Sequence, residues 1–270
     1  MDERRIALLR PEQINYERKQ RSIIYFPIGP LEWHGLHLPL GVDALNAENS
    51  ALMAADRTGG LVLPTFYWGT ERERPPEMLQ WLGFEGDEWI IGMDFPANSL
   101  PSMYTREDIF GLLVREQLRL AAAMGFSLIV VVSGHAAENH LAVLDRISAE
   151  FNAESPSKVI VVLPFVKNQD GVMEVGHASK IETSVMLALA KETVALDNLA
   201  QLDQPIKNVD HGIIDYLTFL GRPTPGRVVP EFDDPRYASA ELGWRTINTA
   251  VDQIVDAVER EYKAIDNRDN

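Results

Sequence analysis

Ser127-Leu-Ile-Val-Val-Val132 is a short apolar run rich in β-branched residues, followed at once by Ser133-Gly134-His135 and then by a helical pattern through Phe151. A run with no polar alternation reads as a strand buried on both faces, the kind that fills the middle of a parallel sheet. Ile23–Phe26, closed by Pro27 and Gly29, and Val159–Leu163 repeat it. Helical patterns alternate with these runs. One covers Asn46 to Asp56, is stopped by Thr58-Gly59-Gly60, and leads into strand-like Leu61–Pro64. Another opens at Thr105-Arg-Glu-Asp108, a Ser/Thr-x-x-acid capping signal, and runs to about Met124 before Gly125. Strand–helix alternation of this kind predicts an α/β fold with a mainly parallel sheet.

The remaining segments fit around that sheet. Pro11-Glu12-Gln13 starts a short surface helix, Ile181 to Thr193 reads as a helix, and Ser239 to Tyr262 forms an amphipathic one with Leu242, Ile247, Ala250, Ile254 and Val258 on one face. Residues 205–240, rich in Pro, Gly and Asp, read as ordered loop, and Asp266 to Asn270 as a polar tail. Residues 67–105 carry Trp68, Trp81 and Trp89 among prolines and acids without a clean period. A stretch of that length is expected to be a cover over a binding site or a contact with a neighbouring subunit. No repeat, low-complexity tract or linker divides the chain, so residues 1–270 are expected to form one domain.

Charge narrows the function. The formal net charge is −15 with no cluster of Lys and Arg, which disfavours nucleic acid and anionic membrane surfaces and leaves a small molecule as the expected partner. No apolar run has the length of a membrane span or the form of a signal peptide. The absence of cysteine excludes thiolate metal ligands and fits a reducing compartment. A cytoplasmic protein is expected.

Three strand ends each carry a histidine and a carboxylate. Glu32, His34 and Asp43, with His37 beside them, follow the first strand and are expected in the loop beyond it. His135 and Glu138 follow the second, and His177 and Glu182 follow the third. In a parallel sheet these ends share one edge, where ligands bind. Imidazole and carboxylate together suit zinc, manganese or iron(II), and Asp43 is placed to bridge two ions. Taken alone, Glu182 is equally explained by the dipole of the helix it opens.

Glu32-Trp33-His34-Gly-Leu-His37-Leu-Pro39 with Asp43 downstream resembles the Glu-x-His-Gly-x-His-Leu-Pro motif of the creatininase family of metal-dependent amidohydrolases. Ser133-Gly134-His135 stands where that family usually has Asn-Gly-His. His177-Ala178-Ser-Lys-Ile-Glu182-Thr183-Ser184 is similar to its His-Ala-Gly-Glu-x-Glu-Thr-Ser, and Asp234-Pro235 with Ala238-Ser-Ala-Glu241-Leu-Gly243 to its C-terminal pattern. The resemblance spans residues 23–243. It implies a three-layer α/β/α sandwich, a homohexamer, and two divalent ions (Zn, Mn or Fe) per chain. One ion would be held by Glu32, Asp43 and His135. The second would be held by His34, Asp43 and a further glutamate, which is Glu138 or Glu182. His177 would carry the proton, and Glu182 would serve beside it if Glu138 is the ligand.

Departures from the family concentrate on the substrate side. Glu138 lies three residues after His135 instead of two, Lys180 replaces a glutamate, Phe95-Pro96-Ala97-Asn98 replaces Phe-Pro-Gly-Thr, and a Glu-Arg-Glu-Arg run replaces Ser-x-Glu-His within an enlarged segment 71–94. Trp33, His37, Lys180 and Trp81 are the expected substrate-side residues. The implied reaction is attack of metal-activated water on the carbonyl of a small, cyclic amide. Hydrolytic C–C ring opening of a cyclic ketone such as an oxidised inositol, and a non-catalytic small-molecule-binding role, are the alternatives.

Overall fold

A computed structural model describes residues 3–81, 84–95, 98–167, 176–209, 212–214 and 227–267. Four strands, β1 (Ile23–Ile28), β2 (Leu61–Val62), β3 (Leu128–Ser133) and β4 (Lys158–Val162), form a sheet in the order β2-β1-β3-β4. All neighbours are parallel, and Ile28 lies opposite Ser133 at the carboxyl ends of the central pair. That register sets the ends of β1 and β3 side by side.

Alternation along the strands divides the core into two faces. Ile24, Phe26, Ile28, Ile129, Val131 and Val159 pack with Phe110, Val114 and Leu118 of α4 (Glu107–Ala123) and Val143, Leu144 and Ile147 of α5 (Glu138–Glu154). On the other face Ile23, Tyr25, Leu128, Val130 and Val132 meet the small residues Ala47, Ala51, Ala54 and Ala55 of α2 (Val42–Thr58), Val185 of α6 (Lys180–Leu189) and Ile247, Val251, Ile254 and Val258 of α7 (Ala240–Asp266). This is the three-layer α/β/α arrangement expected. Each fully buried Val, Ile or Leu contributes roughly 1.5–3 kcal/mol, so the hydrophobic runs specify both strand position and layer order. Helices α6 and α7 approach so closely that a β-carbon on Gly243 would stand 1.9 Å from the Ser184 carbonyl oxygen.

The element boundaries depart from the sequence expectations in informative ways. Helix α2 begins at Val42, four residues before Asn46, so Asp43 belongs to its first turn and not to the preceding loop. The Thr105 capping signal is not used. Arg106 holds the cap position without a side-chain cap, and its guanidinium pairs with Asp108 instead. Helix α6 ends at Leu189, and Lys191–Thr193 forms a separate 3-10 turn. A helix α1 (Pro11–Gln20) occupies the N-terminal surface as expected.

Two regions read as loop have structure of their own. Within 67–105 a short helix α3 (Pro76–Trp81) and a private apolar cluster of Trp33, Leu79, Phe84, Ile90, Met93 and Phe95 give the segment a small core. Non-periodic aromatics are here the signature of local packing. Within 205–240, strands β5 (Lys207–Val209), β6 (Gly212–Ile214) and β7 (Arg227–Val228) pair antiparallel. They are too short for a period to show. Pro96, Ala97 and the tail from residue 268 lie outside the described residues. No helix among the described residues is long and apolar enough to cross a membrane.

Candidate metal centre

The cluster is assembled by chain geometry before any side chain is placed. Beyond β1 the backbone N–H of Glu32 donates to the Leu40 carbonyl at 2.8 Å, closing the loop that holds His34. The first turn of α2 then packs between the ends of β1 and β3. A β-carbon on Gly29 would lie 2.7 Å from Cβ of Asp43, and one on Gly134 would lie 1.9 Å from the Asp43 carbonyl oxygen. Two glycines thus let the helix carrying Asp43 seat directly on the strand ends, beside His135.

Glu32, His34, Asp43, His135 and Glu182 are all buried. The carboxylate of Asp43 faces two imidazoles with different oxygens. Its Oδ1 is 3.2 Å from His34 Nε2, and its Oδ2 is 3.0 Å from His135 Nδ1. Glu32 Oε2 approaches the same His135 nitrogen at 3.2 Å, and Glu182 Oε1 approaches His34 Nε2 at 3.9 Å. Ligand atoms of Glu32, Asp43 and His135 form one compact group, those of His34, Asp43 and Glu182 form a second, and Glu32, His34 and His177 form a third, each within 4.8 Å. Asp43 belongs to the first two.

These residues fit divalent ions. Groups bound about 2.0–2.2 Å from one ion lie roughly 3–4 Å from each other, which is the spacing found. His34 Nδ1 donates to the Glu32 carbonyl at 3.1 Å, directing Nε2 into the cluster. That Nε2 and Asp43 Oδ2 are buried and, although ionic partners stand close by, neither makes an aligned hydrogen bond among the described residues; buried polar atoms left so are costly unless something else satisfies them. The charges tell the same story. Burial opposes ionisation of Asp43 and Glu32, but the neighbouring imidazoles overcome it and hold both carboxyls below their usual range. Burial likewise opposes a charge on His34, yet Asp43 and its neighbours raise it to about 10, and His135 is raised for the same reason by Glu32 and Asp43. Burial lifts Glu182 to about 8. Three carboxyls sharing one dry site call for positive charge, and an all-nitrogen and oxygen donor set suits zinc, manganese or iron(II).

His177 stands beside this cluster, its ring centroid 4.1 Å from that of His34. Its Nε2 is 2.6 Å from the Trp33 carbonyl oxygen. A carbonyl only accepts, so Nε2 carries the proton and Nδ1 has the free lone pair. Burial, reinforced by the adjacent His34, lowers His177 to about 4 and keeps it neutral. The next residue, Ala178, has φ 52°, the left-handed region that side chains avoid. Its N–H donates to Glu182 Oε2, so the strained turn links His177 to Glu182.

The structure separates the remaining expected residues. Glu138 is exposed on the first turn of α5 and belongs to none of the ligand groups. Starting the helix at residue 138 turns that carboxylate outward, and Glu182 takes its place in the second group. His37 is buried, with Nε2 2.9 Å from Thr183 Oγ1 and burial lowering its pKa to about 4. It fastens the first loop to α6. The ammonium of Lys180 lies 5.9 Å over the Tyr237 ring. Trp33 is buried in the cluster of segment 67–105, and its carbonyl, not its ring, makes the contact with His177. Trp81 closes α3, and its side chain lies outside the described residues.

Sequence reasoning missed two residues next to the ligands. His140 is fully buried, accepting from Thr70 N–H at 3.4 Å on Nδ1 and lying 3.1 Å from Ser133 Oγ on Nε2, while that hydroxyl donates to the His135 carbonyl at 2.7 Å. The spacing His135-x₄-His140 was visible, but it reads as a ligand pair more readily than as a brace. Tyr104 donates its phenolic proton to Glu32 Oε1. No motif announces it, since it comes from the non-periodic segment.

The creatininase family model, described as creatinine amidohydrolase, matches residues 7–258. A creatinine amidohydrolase of Pseudomonas putida is 24% identical over 257 residues, covering 89% of this chain and 90% of that protein. A crystal structure of creatinine amidohydrolase superposes with a TM-score of 0.69 at 22% identity, covering 97% of this chain and 99% of the other. A manganese form of creatininase matches equally, with the same TM-score, identity and coverage.

Proposed function

This chain belongs to the creatininase family of hydrolases, and from that premise we propose that it hydrolyses a small, cyclic amide with two divalent ions bound at the strand ends. The observation that carries the reading is the division of Asp43, whose two oxygens face His34 and His135 separately. One ion would be held by Glu32, Asp43 and His135, the other by His34, Asp43 and Glu182. When bound, such a pair supplies a hydroxide near neutral pH and polarises a carbonyl.

The chain's own residues complete the chemistry. His177 is neutral, its tautomer fixed by the Trp33 carbonyl, so Nδ1 takes a proton from the attacking water and returns it to the leaving nitrogen. The Ala178 N–H holds Glu182 Oε2, which leaves Glu182 Oε1 towards His34. Segment 67–105, with its own packed core, forms a wall that excludes water and selects the substrate. Its Glu-Arg-Glu-Arg run differs from the family's usual residues, so creatinine, the substrate in the name of the Pseudomonas putida relative, is one candidate among cyclic amides. The family also implies a hexamer, which sedimentation would test.

Metal content after dialysis, followed by a screen of lactams and cyclic amides with manganese- and zinc-loaded protein, tests the proposal. Two equivalents of metal per chain and turnover of an amide are expected. A chain that retains no metal and cleaves none of them would refute it.

A further inference from the structure

The hydrogen bonds around Tyr104 decide where its single proton points. Met93 N–H donates to Tyr104 Oη at 3.3 Å. With the Met93 N–H on a lone pair of that oxygen, the phenol's O–H is left to donate, and the acceptor it reaches is Glu32 Oε1. The other oxygen, Oε2, is the one facing His135. Each oxygen of Glu32 therefore has a separate assignment.

Tyr104 is also bound into the segment that walls the site. It forms an isolated parallel bridge with Gly69. Gly92 leaves room for its hydroxyl, since a β-carbon there would stand 2.8 Å from Tyr104 Oη. Its ring lies 6.4 Å from that of His135. The backbone of Tyr104 thus ties the two ends of the 67–105 excursion together, while its phenol lies against Gly92 and Met93 and reaches the ligand cluster at Glu32.

We propose that Tyr104 is a positioning residue that confines Glu32 to one metal-facing oxygen, keeping a coordination position on that ion open for water or substrate. The proposal rests on the two-ion reading given above. A carboxylate without such a partner can turn both oxygens to one ion, and outer-shell partners of metal ligands are commonly worth about 10–100-fold in metal affinity.

Cobalt(II) titrated into metal-free wild-type protein and Tyr104→Phe, followed by calorimetry and visible absorption, provides the test. Wild type is expected to bind two equivalents. Tyr104→Phe, which keeps the ring and its packing, should weaken one site by about 10–100-fold and leave the other unchanged. The visible band of the weakened site should lose intensity as Glu32 binds through both oxygens and the coordination number rises. Unchanged titrations and spectra overturn the proposal, as does equal weakening of both sites. If Tyr104→Phe does not fold, Gly92→Ala, whose β-carbon would stand 2.8 Å from Tyr104 Oη, displaces the phenol and should shift the same site alone, and titrations identical to wild type would then overturn it. Failure of wild type to bind cobalt(II) sinks the two-ion reading and this proposal with it, whereas the other outcomes leave that reading standing.

Discussion

Gly134 and Asp43 are in backbone contact, so close that a β-carbon on residue 134 would lie 1.9 Å from the Asp43 carbonyl oxygen and 3.0 Å from its Cα. This contact fixes how far the first turn of α2 sits over the end of β3, and so where the shared carboxylate stands. Gly134→Ala must push the two backbones apart. Overpacking of this kind costs typically 1–3 kcal/mol, and here the displacement falls on both ligand groups at once. Metal analysis of the dialysed variant should show both ions lost, with a lowered melting temperature. Gly41→Ala is the control, because its β-carbon would meet nothing nearer than 3.6 Å. Two ions retained in Gly134→Ala would show that the contact does not position Asp43.

Glu182 and Glu138 make opposite predictions. Glu182→Gln keeps the shape but loses the charge of the second ligand group, so one ion should be lost while the one at Glu32, Asp43 and His135 remains. Glu138 is exposed, and Glu138→Gln should keep both ions, with stability within the ±0.5 kcal/mol usual for surface changes. Metal stoichiometry of the pair decides the matter. One ion lost from Glu138→Gln and none from Glu182→Gln would reverse the assignment.

How much of this was legible in the sequence depends on whether a residue's role follows from periodicity or from tertiary approach. The buried runs Ile23–Phe26 and Leu128–Val132 could only be central parallel strands, and the histidines and acids after them could only meet at one sheet edge. That reasoning located Glu32, His34, Asp43, His135, His177 and Glu182. It could not tell Glu182 from Glu138, because the difference is one residue of helix start: with α5 opening at Glu138 the carboxylate turns outward. Nor could it see that His37 fastens Thr183 or that Tyr104 reaches Glu32, since both contacts join segments distant in sequence. Segment 67–105 was opaque for a related reason. Its aromatic residues pack on each other across a fold with no repeat, so no period records them.

Ala178 is fully buried with φ 52°, and the conformation serves the site by aiming its N–H at Glu182. The left-handed region costs an alanine about 1–2 kcal/mol, while glycine there gives up roughly 0.5–1 kcal/mol in chain entropy. Ala178→Gly should therefore change the melting temperature little and keep both ions. Ala178→Val adds β-branching in a conformation that forbids it and volume where there is none, and should lose more than about 2 kcal/mol in denaturant titration. Equal stability of the valine and glycine variants would mean that the turn relaxes freely and is not needed to hold Glu182.

His177 offers the sharpest separation of proton transfer from metal binding. Its Nε2–H is committed to the Trp33 carbonyl, and burial beside His34 keeps it neutral, at about 4, so Nδ1 is the nitrogen able to accept a proton. His177→Ala should cut turnover by about 10²–10⁴-fold, the span of a lost general acid or base. Both ions should stay, because the groups around Asp43 do not need it, although Glu32, His34 and His177 also lie close enough to share an ion. Exogenous imidazole should restore part of the turnover by occupying the vacated space. Loss of metal in proportion to activity would make His177 a ligand, and full turnover in the alanine variant would remove it from the reaction.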